Sequence, residues 1–180
     1  MATFQKKFLN KTYKVALTSM MAALSLIMLY FGVLFQTGRL AFYFLSAIFV
    51  MPMLIEKQPA MAALHYVVVT GLGLLIVPDL TMMLPYALLF GHYAIGKFYI
   101  EKMRDKTVAY IVKLLYFDIC MAVIYLVAKD ILLTGFLENM PIWLLVILVQ
   151  VAFVVFDFLF SKVTRFYVDN IRQKLVRVSD

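Results

Sequence analysis

Cysteine is nearly absent from this chain. The single Cys120 lies inside an apolar run, which excludes a disulfide framework and a cysteine-built metal cluster and says little about redox compartment. Charge is scarce as well: Asp, Glu, Lys and Arg make up 15% of the 180 residues against 65% hydrophobic, and the mean hydropathy of +0.95 lies outside the range of a soluble domain. Catalytic signatures are missing. No HExxH, paired-cysteine or carboxylate-rich spacing offers a metal site, and no Ser-His-Asp or Cys-His set can be placed with helical geometry. The chain is therefore not expected to be an enzyme or to carry a cofactor. Internal repeats, linkers and a second domain are equally absent from the pattern.

What the chain does carry is a succession of long apolar runs. Roughly 20 residues at 1.5 Å each cross a hydrocarbon core about 30 Å thick. Barrel strands would be shorter and would alternate at every second position, so the runs predict an all-α integral membrane protein, a six-transmembrane-helix bundle in one domain. The spans are expected near residues 15–35, 40–55, 60–77, 80–100, 108–131 and 141–161, the last opening at Pro141, a favoured first helical residue. Lysines precede the first run as in a signal peptide, but without a convincing cleavage site that run reads as a retained span. Beyond the sixth span, Val163, Tyr167, Ile171, Leu175 and Val178 recur every three or four positions among Lys162, Arg165, Arg172, Lys174 and Arg177. This predicts an amphipathic helix over 162–178, lying on the membrane surface.

A net charge of +7 could suggest a nucleic-acid partner, but membrane proteins gather positive charge in cytoplasmic loops and against anionic lipid. The bilayer is the expected partner, and nucleic acid is not. With both termini and the loops after the second and fourth spans on one side, fifteen of the seventeen Lys and Arg fall there, leaving Arg39 and Lys129 opposite. The positive-inside rule then places both termini in the cytoplasm of a bacterial cell membrane. The glycosylation sequon Asn10-Lys11-Thr12 falls on that same side.

The stretch from Val77 to Lys102 is the most polar of the spans. Pro85, Tyr86, Gly91, His92, Tyr93 and Gly96 are each unfavourable against lipid unless they face protein or a cavity, so this span is expected to line something. Gly91 to Lys97 reads G-x-x-x-x-G-K, as a phosphate-binding loop does. Phe98 stands where that motif needs Ser or Thr, and a preceding strand is lacking. The plainer reading is that the glycines let helices approach and that Lys97 snorkels to the interface.

Ionisable residues well inside the spans include His65, His92, Lys113, Asp118 and Asp157. Helical rise puts His92, Asp118 and Gln150 at similar depth near the midplane. They form either a ligand pocket, with Tyr86 and Tyr93 free to stack on a solute, or a hydrogen-bonded cluster that only holds helices together. Lys113 and Asp157 lie near the cytoplasmic ends of their spans and are expected to form a plain salt bridge, with His65 close enough to join it. On the outer side, Gln36, Arg39, Tyr43, Asp79 and Glu138 mark a possible lid, where the Arg39 guanidinium suits a carboxylate or phosphate.

The first span opens with VALTSMMAALS, in which Ala16, Ser19 and Ala23 form a stripe of small residues open to another helix. With six spans, two cytoplasmic ends, this stripe and the stretch PYALLFGHYAIGKFYIE from Pro85 to Glu101, the chain resembles the substrate-binding S components of energy-coupling factor (ECF) vitamin transporters. That family's first span carries Ala-x-x-x-Ala; Ser19 and Ala23 match it, with serine in the first place. The resemblance implies capture of a vitamin or similar micronutrient near the outer face, chiefly by the last three spans. It also implies partners: a transmembrane coupling protein, met through the first span, and two ATP-binding subunits. Arg39, Tyr86, His92, Asp118 and Gln150 are the expected ligand contacts. The alternatives are a scaffold or assembly factor that transports nothing, and a lipid-acting intramembrane enzyme.

Overall fold

A computed structural model describes residues 11–35, 38–78, 80–132 and 141–172, and these are helical apart from short turns. Four helices are long and apolar enough to cross a membrane: Thr12–Leu34, Pro59–Ile76, Lys106–Val127 and Trp143–Asn170. A further apolar stretch, Arg39–Ile55, is shorter. The all-helical class follows from the runs of apolar side chains, because a backbone in lipid must satisfy its own polar groups.

Helix α1 (Lys11–Leu34) turns Thr18, Ala22, Ser25 and Leu29 inward, at helical spacings, against α2 (Arg39–Ile48) and α4 (Pro59–Ile76). The entry to α2 is Gly38, at φ 92°, a left-handed conformation that glycine adopts without strain. Helix α2 stops at Ile48 because Pro52 has no N–H to return to that carbonyl, and the chain resumes as α3 (Met51–Ile55). Lys57, at φ 56°, then closes α3: its N–H donates to the Leu54 carbonyl at 3.0 Å and the Gln58 N–H to that of Met53 at 2.8 Å. Helix α4 ends where Val77, ahead of Pro78, is forced into extended backbone.

The polar stretch is helical but interrupted. It comprises α5 (Leu80–Pro85), a wide π turn (Tyr86–Phe90) in which the Gly91 N–H reaches back to the Tyr86 carbonyl, and α6 (Gly91–Ile100). Asp105 caps α7 (Lys106–Leu132) by accepting the Thr107 N–H at 2.9 Å. Helix α8 (Ile142–Phe166) leads directly into a second wide turn, Tyr167–Arg172. The surface helix expected from residue 162 therefore does not begin there: α8 runs through that point unbroken, and 173–178 lie outside the described residues.

The core is aromatic where α2, the wide turn and α8 meet. Tyr43 stacks on Phe90 at 5.6 Å, and Phe156 takes the edges of Phe44 and Phe90 at 5.4 and 5.2 Å. On its other side α8 exposes Trp143, Val151, Val155 and Phe158. In water such a face would drive aggregation; in a bilayer it is ordinary solvent contact.

Candidate functional site

Three elements, α6, α7 and α8, carry the polar groups that the sequence places inside spans. At one end Asp157 of α8 accepts from three donors. Tyr93 donates to Oδ1 at 2.7 Å, Lys97 pairs with the same oxygen, and Lys113 of α7 reaches Oδ2 at 2.8 Å. Lys97, only 4% exposed, also donates to Ser161 Oγ at 2.7 Å. Both lysines meet Glu101 Oε1, at 3.3 and 3.2 Å, and that side chain is 47% exposed. Two ammonium groups and two carboxylates thus balance, with one carboxylate at the surface and the other inside. Two sequence expectations are corrected here. Lys97 does not snorkel, because the buried Asp157 carboxylate of α8, together with Ser161 Oγ and Glu101, stabilises its ammonium more than the interface would. His65 does not join Asp157; it is fully buried elsewhere, with Nε2 3.1 Å from Ser25 Oγ between α1, α2 and α4.

Helices α7 and α8 run antiparallel, so positions that rise on one fall on the other. Three successive contacts link them: Lys113 to Asp157, Phe117 to Phe153 with ring centroids 4.4 Å apart, and Asp118 to Gln150, whose Nε2 donates to Asp118 Oδ1. Gln150 is seven residues along α8 from Asp157, roughly 10 Å deeper into the bundle. The Gln150 Oε1 atom is buried and accepts no hydrogen bond among the described residues, and no described cation pairs with Asp118. An unpaired intramembrane carboxylate is unfavourable by at least about 2.5 kcal/mol on insertion scales. Among the described residues, Gln150 Oε1 is the buried acceptor of the three-helix seam that has no donor.

His92 belongs to a different arrangement. Its Nε2 donates to the Leu88 carbonyl at 2.8 Å, so in the neutral ring Nδ1 accepts the Tyr116 hydroxyl proton. Tyr66 donates to the Ala87 carbonyl at 2.8 Å and meets the His92 ring edge at 5.7 Å. Both carbonyls lie in the wide turn, where the regular ladder is disturbed, and the two side chains supply donors to them. The structure thus brings Asp118 and Gln150 together, while His92 is bonded to Leu88 and Tyr116.

The remaining expected contacts are scattered. Tyr86 is fully buried, and its hydroxyl has no hydrogen-bond partner among the described residues. Tyr93 is fully buried too, and Phe153, Phe156 and Phe160 lie 5.0–6.1 Å from its ring. Neither presents an open face on which a solute could stack. Arg39 begins α2, partly buried, and Tyr43 lies in the core; Gln36, Asp79 and Glu138 lie outside the described residues. Ala16, Ser19 and Ala23 are all exposed on α1, and Ser19 borders a shallow groove of about 60 Å³ between α1 and α4 with Val15, Thr18, Ala22, Met61, Leu64 and Val68.

The G-x-x-x-x-G-K stretch has a packing account. It is helical throughout, a Cβ on Gly91 would come within 2.8 Å of the Tyr66 ring, and one on Gly96 within 3.0 Å of Tyr116. Each glycine admits a tyrosine from a neighbouring helix, and the lysine serves Asp157. Sequence reasoning missed Ser25 and Ser46, whose hydroxyls each donate to the other's carbonyl, at 3.0 and 3.1 Å. It also missed Tyr66 and Tyr116, which no spacing signals; Lys97 with Glu101 four residues on was a visible helical ion pair. No family model, curated protein or solved structure matches this chain.

Proposed function

We propose that this chain is the membrane-embedded solute-binding subunit of an importer, acting as the S components of ECF transporters do. In this reading it captures a vitamin or similar micronutrient from outside and passes it inward with a coupling protein and two ATP-binding subunits. The observation that carries the reading is the Asp118–Gln150 pair, in which a carboxylate has no cation partner among the described residues and the buried Gln150 Oε1 has no donor. Beneath it, the Phe117–Phe153 contact and the ion network of Lys97, Lys113, Asp157 and Glu101 tie α6, α7 and α8 together at the end next to the basic 101–106 turn. A seam closed on one side and under-satisfied in the middle suits entry from the other. Six spans with both ends cytoplasmic complete the proposal, and the exposed stripe Ala16, Ser19 and Ala23 is the surface offered to the coupling protein.

Native mass spectrometry of the purified protein tests this. A small molecule should copurify, remain bound to His92→Phe, and be lost from Asp118→Ala with its helicity intact. Absence of any bound solute, together with unchanged binding of a micronutrient panel by Asp118→Ala, would remove solute capture. The full engagement of His92 and Lys97 by protein groups favours a second reading, a scaffold whose polar clusters only join helices. On that reading no ligand copurifies and Asp118→Leu is more stable than the parent chain.

A further inference from the structure

We infer that the Asp118–Gln150 pair selects an organic cation bearing N–H donors, a protonated amine or amidine. The inference rests on the reading of this pair as a capture site. Its starting point is which atoms are already used. Gln150 spends an amide N–H on Asp118 Oδ1, which fixes the amide and leaves Oε1 buried without a donor. Turning the amide over would set its carbonyl against the carboxylate, acceptor against acceptor. The pair therefore presents a negative charge and a carbonyl oxygen, and recognises donors rather than acceptors.

The surroundings narrow the class further. The nearest lysine along α7, Lys113, is held by Asp157 and Glu101. No described group of three His, Cys, Asp or Glu could hold a metal ion, and a bare alkali or divalent cation needs more oxygens than this pair offers. An ammonium group has three donors in a compact head, enough to satisfy Asp118 and Gln150 Oε1 together. The aromatic pair Phe117–Phe153 lies next to it in the seam, buried and closing the site on that side. Both polar side chains are partly exposed, so the site is not sealed.

The test is a binding panel on the full-length protein in nanodiscs, read by calorimetry and thermal shift. The probes are ethanolamine, benzylamine and benzamidine, with tetramethylammonium, sodium chloride and benzoate as counterparts. Benzylamine or benzamidine should bind, tetramethylammonium and benzoate should not, and Asp118→Asn, which keeps a partner for Gln150, should weaken binding at least tenfold. Gln150→Glu should strengthen it. If a neutral or anionic micronutrient binds and the amines do not, the cation assignment falls while solute capture stands. If sodium alone binds, the organic cation is likewise overturned. If none of the probes and no micronutrient binds, the pair is only a contact between helices, and both readings fall.

Discussion

Asp157 is the side chain that joins the helices of the protein's polar seam. Its two oxygens take a phenol and two ammonium groups drawn from α6 and α7, so three helices depend on one carboxylate. Removing that charge leaves Lys97 and Lys113 to share a half-exposed Glu101, and breaking a buried pair in this way destabilises by about 3–5 kcal/mol. Asp157→Asn should show a loss of that order in detergent unfolding, and the triple variant Lys97→Met, Lys113→Met, Asp157→Leu should recover most of it. A loss below about 1 kcal/mol would mean that the network is no stronger than a surface pair. The sequence indicated a bridge between Lys113 and Asp157, and that bridge is present. It did not indicate Lys97, because a lysine near a span end has two favourable destinations, interface and buried carboxylate, and only the rotation of α6 decides between them.

The element that departs most from regular geometry is the α5–α6 segment. Pro85 removes one N–H from the ladder, and the wide turn that follows rearranges carbonyl partners over Tyr86–Phe90. Tyr66 and His92 then supply donors to Ala87 and Leu88, so α4 and α6 are joined to the turn through its own backbone. Tyr66→Phe keeps the ring that Gly91 accommodates and deletes only the donor; its expected effect is a loss of about 1 kcal/mol, the scale of a single hydrogen bond in a membrane. Amide exchange over residues 86–91 should accelerate in that variant while α1 and α2 are unaffected. No change over those residues would show that the Ala87 carbonyl finds its partner elsewhere. The end at Val77-Pro78 was legible, since proline acts on its own chain neighbours, whereas the second span, expected unbroken over 40–55, divides between Ile48 and Met51 ahead of Pro52. The wide turn was not legible: widening by one residue requires donors from other helices to stabilise it.

For the whole molecule, the governing asymmetry is charge. Lys97 and Lys113 are neutralised inside the bundle, yet in the proposed six-span arrangement taking both out of the tally still leaves thirteen Lys and Arg on one side against two on the other. Orientation by positive charge therefore does not depend on the buried pair. Single-cysteine reporters test it in a Cys120→Ala background. A cysteine at Asp105, in an exposed turn, should react with an impermeant maleimide only after the cells are opened, and one at Gly38 should react in intact cells. The opposite pattern would invert the bundle and direct the Asp118–Gln150 seam to the cytoplasm.

Helicity and affinity for a bilayer were determined by the sequence alone, since both depend on the length of apolar runs and on a backbone that must bond to itself in lipid. The depths of His92, Asp118 and Gln150 were likewise a matter of counting residues along each helix. Which of them meet was decided only by the tertiary structure. Depth along a helix is one-dimensional, but contact also needs the rotation of each helix about its axis. Those rotations, set by side chains such as Tyr66 and Tyr116 against Gly91 and Gly96, bring His92 to Tyr116 and Asp118 to Gln150.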